Sequence, residues 1–320
     1  MSCGDTLTMD LAVTRAEKIA AAVHVFEFRH PEGHELPPFT AGAHLDVTTP
    51  SGAQRKYSLC NDPAERDHYV IAVMRDNAGR GGSVSMADQL HVGDVIGVRL
   101  PRNDFALDTR ARQFLFIAGG IGITPILSMM RHLQASGQER FKLIYCTRSP
   151  EETAFLDELK GHEFHGRVKI HHDFGDPERH LDLWPILENP GGTHVYCCGP
   201  RALMDAVRDM SGHWPGGSVH FESFGAESSL KWQNAPFAVT LARSGKTIDV
   251  PAEQTLLEAL RQHDVQVPSS CESGTCGSCK TRWLGGVVEH RDLILTDDER
   301  LQNMMVCVSR GVQSNLILDL

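Results

Sequence analysis

No stretch of this 320-residue chain approaches eighteen consecutive apolar residues, the length a helix needs to cross a bilayer. Its first residues, Met1-Ser2-Cys3-Gly4-Asp5-Thr6, lack the basic and apolar regions of a secretory signal. A cytoplasmic protein with no membrane partner is expected. Positive charge is also scarce: 31 Lys and Arg against 41 Asp and Glu give −10, which argues against nucleic acid, whose phosphates repel an acidic surface. There is no low-complexity tract and no internal repeat. His-Glu-x-x-His, a Rieske-type Cys-x-His and Gly-x-Ser-x-Gly are all missing, so zinc-hydrolase, Rieske and serine-hydrolase readings have nothing to stand on. The 17 histidines, His162, His165, His171 and His172 among them, are read as surface or core residues. A disulfide framework is lacking too. Five of the nine cysteines, Cys3, Cys60, Cys146, Cys197 and Cys198, follow no paired spacing and are expected as reduced thiols.

The other four are the most informative residues present. Cys271, Cys276, Cys279 and Cys307 are spaced x4, x2 and x27, the arrangement by which one tight loop and a later segment hold a plant-type 2Fe-2S cluster. Glu272-Ser273-Gly274-Thr275 and Gly277-Ser278 are small or turn-forming, so backbone N–H groups can crowd toward the sulfurs. A structural zinc knuckle is the alternative, but it needs a second Cys or His pair, and none follows. Electron transfer is the expected business of this segment. From residue 236 onward there are eleven Asp/Glu against eight Lys/Arg, a net −3 that includes Asp297-Asp298-Glu299. That is either a solvated acidic face or a means of steering toward a basic partner.

A chain of this length holds two or three domains, and the patterning changes twice. Over the first 108 residues short runs alternate apolar and polar positions (Val23 to Phe28, Leu45 and Val47, Tyr69 to Val73, Val95 to Val98) between Pro, Gly, Asn and Asp turns. This predicts an antiparallel barrel or sandwich. From 112 to about 222, apolar strands at 114–118, 142–145, 168–170 and 194–197 alternate with helical stretches such as 125–135 and 201–210, which predicts a parallel sheet with crossovers. Residues 223–235 read as a polar linker.

The strand 114–118 runs into Gly119-Gly120-Ile121-Gly122-Ile123-Thr124-Pro125 and then a helix. Thr124 suits an N-cap and Pro125 a first helical residue, and the glycines let a pyrophosphate approach N–H groups at the helix N-terminus. Pro125 stands where a Rossmann motif has its last glycine, so taken alone this could be simply a tight strand-to-helix turn. A second junction, Tyr196-Cys197-Cys198-Gly199-Pro200-Arg201, comes about 75 residues later. In a doubly wound sheet both lie at the carboxyl ends of strands, where ligands bind. Gly120, Gly122, Gly199 and Pro200 are the nucleotide-site candidates; Cys198, either a small buried hydrophobe or a neighbour of the nicotinamide, is a catalytic candidate.

Arg55-Lys56-Tyr57-Ser58-Leu59, Gly79-Arg80-Gly81-Gly82-Ser83, the turn 119–125 and Cys198-Gly199-Pro200, in that order and followed by the four-cysteine segment, closely resemble the phthalate dioxygenase reductase family within the ferredoxin-NADP reductase superfamily. The resemblance spans essentially the whole chain, including Leu100-Pro101-Arg102-Asn103-Asp104-Phe105 and Leu316-Ile317-Leu318-Asp319-Leu320. It implies a multidomain protein: an antiparallel β-barrel flavin domain over 1–110, an α/β parallel-sheet nucleotide domain over 111–226 and a β-grasp 2Fe-2S ferredoxin domain over 236–320. Arg55 and Gly81-Gly82-Ser83 would hold the flavin phosphate, and Tyr57 and Ser58 would lie beside the ring with the Ser58 hydroxyl near N5, making Ser58 the second catalytic candidate. Lys56, Ala72, Val73 and Thr124 complete the implied flavin site, and Phe224 would cover the ring. Without that ordered set, Tyr57 and Phe224 read as core aromatics and Arg55 as an ion-pair residue. Arg75 is undecided. The flavin implied is FMN, because the stretch from Tyr69 to Gly81 has no room for the extra segment that holds an adenosine.

The implied activity is NADH oxidation with electrons passing through FMN and the cluster to a separate Rieske-type oxygenase, a transient partner of a monomer. NADH is expected over NADPH: Arg148 would welcome a 2′-phosphate, but Glu151, Glu152 and above all Asp173, after the third parallel strand, would repel it. Two rival functions are a non-enzymatic redox carrier, against which the flavin and nucleotide motifs speak, and an NADH oxidase or flavin or iron reductase, which has no need of a fused ferredoxin.

Overall fold

The computed structural model describes residues 8–108, 110–224, 234–312 and 316–320; Cys3 and most of the linker read at 223–235 lie outside them. The chain forms two compact units, residues 1–220 and 221–320.

The first unit opens with six strands: β1 Thr8–Ala20, β2 Val23–Arg29, β3 His44–Thr48, β4 Gln54–Ser58, β5 Tyr69–Met74 and β6 Val95–Arg99. They pair in the order β4-β3-β6-β1-β2-β5. Beyond the end of β4, Leu59 bridges Ile71 of β5 and the Cys60 N–H donates to the Val70 carbonyl at 2.8 Å. The two end strands thereby meet and the sheet closes into a barrel, which resolves the choice between barrel and sandwich. Leu11, Val13, Phe26, Phe28, Leu45, Val47, Ile71 and Val73 fill it. Helix α1, Gly82–Gln89, follows β5.

Five strands then form the second sheet: β7 Gln113–Gly119, β8 Phe141–Thr147, β9 Val168–His172, β10 Thr193–Cys198 and β11 Val219–Glu222, in the order β11-β10-β7-β8-β9. The β7, β8, β9 and β10 pairings are parallel. Strand order reverses between β7 and β10, and in open α/β sheets the carboxyl ends of the strands at such a reversal are where ligands bind. Helix α2, Ile123–Ala135, packs Ile126, Leu127, Met129, Met130 and Leu133 into a core that also takes Val25, Ala41, Cys60 and Ala72 from the barrel. One continuous core therefore joins barrel and α/β layer, the physical reason that two expected domains share one compact unit.

The second unit has a mixed sheet of β12 Phe237–Leu241, β13 Thr247–Val250, β14 Lys280–Gly285, β16 Asn303–Met305 and β18 Leu316–Leu318, in the order β13-β12-β18-β14-β16, with a separate small ladder of β15 Val288–Glu289 and β17 Arg310–Gly311. Strands β12 and β18 are parallel and the other pairs antiparallel, the β-grasp arrangement. The helix Leu256–Gln262, started by a Thr255/Glu258 capping box, buries Leu256, Leu257 and Leu260 against the sheet.

Candidate functional site

At the barrel, β4 and the start of α1 bring the phosphate candidates together. Gly81 adopts φ 80° and no side chain caps α1, so its first N–H groups are left for a ligand. Arg55 lies across Gly82: a Cβ at Gly82 would come within 2.8 Å of the Arg55 Nε and 2.9 Å of its Cγ. Glycine here lets a guanidinium cross a helix N-terminus, a cradle shaped for an anion. The Ser83 hydroxyl accepts from the Asp76 N–H at 3.1 Å, which leaves its own proton to donate. Arg75 is engaged elsewhere, held at two points by Asp88 at 2.8 and 2.9 Å.

Tyr57 fits a ligand as well. Its hydroxyl is buried with no hydrogen-bond partner, and burial pushes its pKa up to about 12, so a group that would satisfy it is wanting. Ser58 is 4% exposed. Lys56 stands exposed in register with Asp46. Ala72 and Val73 turn to opposite faces of β5, into the shared core and the barrel core respectively, so their side chains are not offered to a ligand. A strand buried on both faces has only its backbone to give a ligand.

The two glycine turns interlock. A Cβ on Gly122 would lie 2.2 Å from the Cys198 carbonyl oxygen and 2.8 Å from the Gly199 nitrogen; one on Gly119, 2.5 Å from Pro200 Cδ; one on Gly199, 2.8 Å from Gly119. Gly122 and Gly199 serve backbone-on-backbone packing of the β7 and β10 turns, while Gly119 makes room for the Pro200 ring and Leu203. Gly120 is different: it takes φ +52° with nothing near its Cβ position, so its backbone conformation and not a close neighbour favours glycine there. Thr124 is not the N-cap. Residues Gly120–Gly122 already form a turn of 3₁₀ helix, α2 begins at Ile123, and the Thr124 hydroxyl, inside the helix, donates to the Ile121 carbonyl at 3.1 Å. Pro125 likewise sits third in the helix, where no intrahelical donor is required. Cys198 is fully buried in the shared core.

Two side chains of α2 tie the helix to the segment that follows β4. The Ser128 hydroxyl donates to the Asn61 carbonyl and Arg131 Nη1 to the Cys60 carbonyl, each at 2.8 Å, while Glu158 clamps the rest of the Arg131 guanidinium. The end of β4 that carries Ser58 is thus fixed relative to Thr124, a coupling invisible in motif reading. At the carboxyl edge of β8 and β9, the Phe174 N–H donates to the Arg148 carbonyl at 2.8 Å and Asp173 accepts from Gly175. This places Asp173 beside exposed Arg148. Phe174, φ 56° and 56% exposed, is an aromatic at this edge that sequence reading passed over.

In the second unit the four cysteines converge. Cys271 and Cys276 form one hydrogen-bonded thiol pair and Cys279 and Cys307 another; within each, one thiol is pulled down and its partner pushed up. Cys271 also raises Cys279 and Cys307 electrostatically, so the two thiol pairs are neighbours. The Ser273 N–H donates to Cys271 Sγ and the Cys271 N–H to Cys276 Sγ, both at 3.4 Å. Left-handed backbone at Glu272, Gly274 and Gly277 turns those N–H groups inward. Four thiolates at one locus repel, and a cationic pair of irons is what such a set fits. Phe224 is 46% exposed.

Three family descriptions match in chain order: an oxidoreductase FAD-binding domain over residues 10–107, an oxidoreductase NAD-binding domain over 116–209 and a 2Fe-2S iron-sulfur cluster binding domain over 239–310. The chain is 58% identical over 311 residues, 97% of its own length and 96% of the relative's, to a phthalate 4,5-dioxygenase oxygenase reductase subunit of Pseudomonas putida. It is 56% identical, with 97% of both chains covered, to phthalate dioxygenase reductase of Burkholderia cepacia. The chain belongs to the phthalate dioxygenase reductase family. A solved structure of phthalate dioxygenase reductase superposes with a TM-score of 0.72 at 55% identity, covering 98% of each chain. Membership makes this member of the family an oxidoreductase with flavin, pyridine nucleotide and 2Fe-2S sites on one chain. Among the described residues no helix is long and apolar enough to cross a membrane.

Proposed function

We propose that this reductase draws electrons from NADH and delivers them singly to a separate Rieske-type oxygenase through a transient encounter, acting as a monomer with FMN as its flavin. What carries the reading is the presence, in one chain, of the Arg55/Gly82 anion cradle, the interlocked turns at 119–122 and 198–200 and the four-thiol locus. When bound, the flavin accepts a hydride and the cluster passes single electrons onward. The chain's task is positional. Arg55, Gly81, Gly82 and Ser83 hold the phosphate; Tyr57 and Ser58 meet the ring; Gly120, Gly122, Gly199 and Pro200 shape the nucleotide turn beside Thr124 and Cys198. Residues 1–110, 111–226 and 236–320 are the corresponding functional segments.

The choice of FMN rests on residues 75–81. They form a closed turn, with Asp76 Oδ1 accepting the Ala78 N–H at 2.9 Å and the Asp76 N–H bound to Ser83, and offer no segment to hold an adenosine. Heat-released flavin is therefore expected to be FMN at about one per chain. Arg55→Ala is expected to weaken its retention about ten- to a hundredfold, the loss of charge-assisted hydrogen bonds. Recovery of FAD overturns the assignment.

Nucleotide choice is tested separately. With Asp173 at the carboxyl edge beside Arg148, NADH is expected to have the higher kcat/KM, because a carboxylate accepts from a free 2′-hydroxyl and repels a 2′-phosphate. Asp173→Ala is expected to raise kcat/KM for NADPH. Parity of the two nucleotides in the wild type contradicts the preference, and an unchanged NADPH value in the variant clears Asp173 of the role.

A further inference from the structure

We infer that His44 is a positioning residue for hydride transfer: it orients the Ser58 hydroxyl from the neighbouring strand. This rests on the reading of Ser58 given above and extends it to a residue that no motif includes.

His44 and Ser58 are directly opposite in the β3–β4 ladder. The bond from the Leu59 N–H to the Ala43 carbonyl, 2.8 Å, brackets them, so they form a non-hydrogen-bonded pair, the class in which Cα atoms approach to about 4.5 Å and side chains are closest. Leu45 and Val47 face the barrel core; by alternation His44 and its partner Ser58 share the outer face. Both are enclosed, at 5% and 4% exposure. The outer face at this point meets the α/β layer: Gly42 abuts the Phe105 carbonyl and Met129, and Cys60 belongs to the same buried cluster as Ile123 and Cys198.

His44 is also poised. Its backbone is bonded in both directions to Arg102, at 2.8 and 3.0 Å, and Arg102 in turn holds Asp46 at 2.6 Å, so the ring can swing only about its own side-chain torsions. Its Nε2 is buried without a partner, an unfavourable state that an apolar residue would avoid. Burial holds the ring neutral, with its pKa down to about 4, so it retains one N–H. In the flavin-loaded protein, Nε2–H donates to Ser58 Oγ. The serine's only proton is then free to point at the ring, and its oxygen is held still.

The test compares His44→Phe, His44→Gln, Ser58→Ala and the double variant His44→Phe/Ser58→Ala by stopped-flow flavin reduction with NADH, together with fluorescence titration of apoprotein with FMN. His44→Phe is expected to lower the limiting reduction rate about tenfold. FMN and NADH dissociation constants should stay within about threefold of wild type, the double variant should be no slower than Ser58→Ala, and His44→Gln, which keeps a donor, should recover most of the rate. Effects that multiply in the double variant, or a His44→Phe loss that lies in FMN affinity, overturn the proposal. Ser58→Ala with wild-type kinetics removes the role of Ser58 itself, and the proposal with it. A wild-type flavin that NADH does not reduce refutes instead the broader reductase reading.

Discussion

Cys276→Ser is expected to abolish electron delivery to an oxygenase or to cytochrome c while NADH continues to reduce the flavin at the wild-type rate. Cys276 is half of the Cys271/Cys276 thiol pair and its sulfur receives the Cys271 N–H, so the change removes a ligand and a backbone anchor together. The flavin and nucleotide candidates from Arg55 to Pro200 lie in the first unit, which has its own cores. Those cores do not draw on Cys276, which belongs to the second unit. Loss of the cluster's visible absorbance, with flavin absorbance still bleached by NADH in the stopped flow, checks the outcome. Equal loss of both steps in a variant with a native circular dichroism spectrum contradicts the modular order.

Gly122→Ala is expected to damage the other half of the pathway. Its new methyl would sit 2.2 Å from the Cys198 carbonyl oxygen and 2.4 Å from its carbon. Those are backbone atoms of a central parallel strand paired with β7 along its whole length, and they cannot turn aside as a side chain could. The cost is on the order of 3 kcal/mol or more, and the β7 and β10 turns must separate to relieve it. NADH reduction of the flavin should fall by at least about a hundredfold or the variant should unfold at markedly lower temperature. Gly120→Ala is the control for mere loss of a glycine: at φ +52° in open space it suffers backbone strain of about 1–2 kcal/mol and no collision. If Gly122→Ala proves as mild as Gly120→Ala in melting temperature, the turns are not interlocked as described.

Legibility in the sequence followed the physics of each signal. The cluster ligands were readable because their spacing is imposed by a metal cage, and the parallel strands because burial on both faces leaves nearly unbroken apolar runs such as Phe114 to Ala118. β1 was not readable. It is the longest strand of the barrel, yet Thr14-Arg15-Ala16-Glu17-Lys18 is polar, and bulges after Val13 and Lys18 break its alternation. The start of α2 was misplaced at Thr124 because a glycine-rich 3₁₀ turn leaves no capping signature. Why Gly122 and Gly199 must be glycine was equally hidden, since the reason is the backbone of the facing turn, about 75 residues away in sequence. Arg75 gave no clue to its partner, Asp88, nor His44 to Ser58, because register is a property of pairing and not of either strand alone.

The central claim is that hydride enters at the first unit and single electrons leave through the second. Anaerobic mixing with NADH, of the complete protein and of protein stripped of its flavin with the cluster retained, tests it most directly. The complete protein is expected to lose flavin absorbance first and oxidised-cluster absorbance afterwards, and the flavin-free protein to keep its cluster oxidised. Reduction of the cluster by NADH at an undiminished rate without flavin would contradict the account.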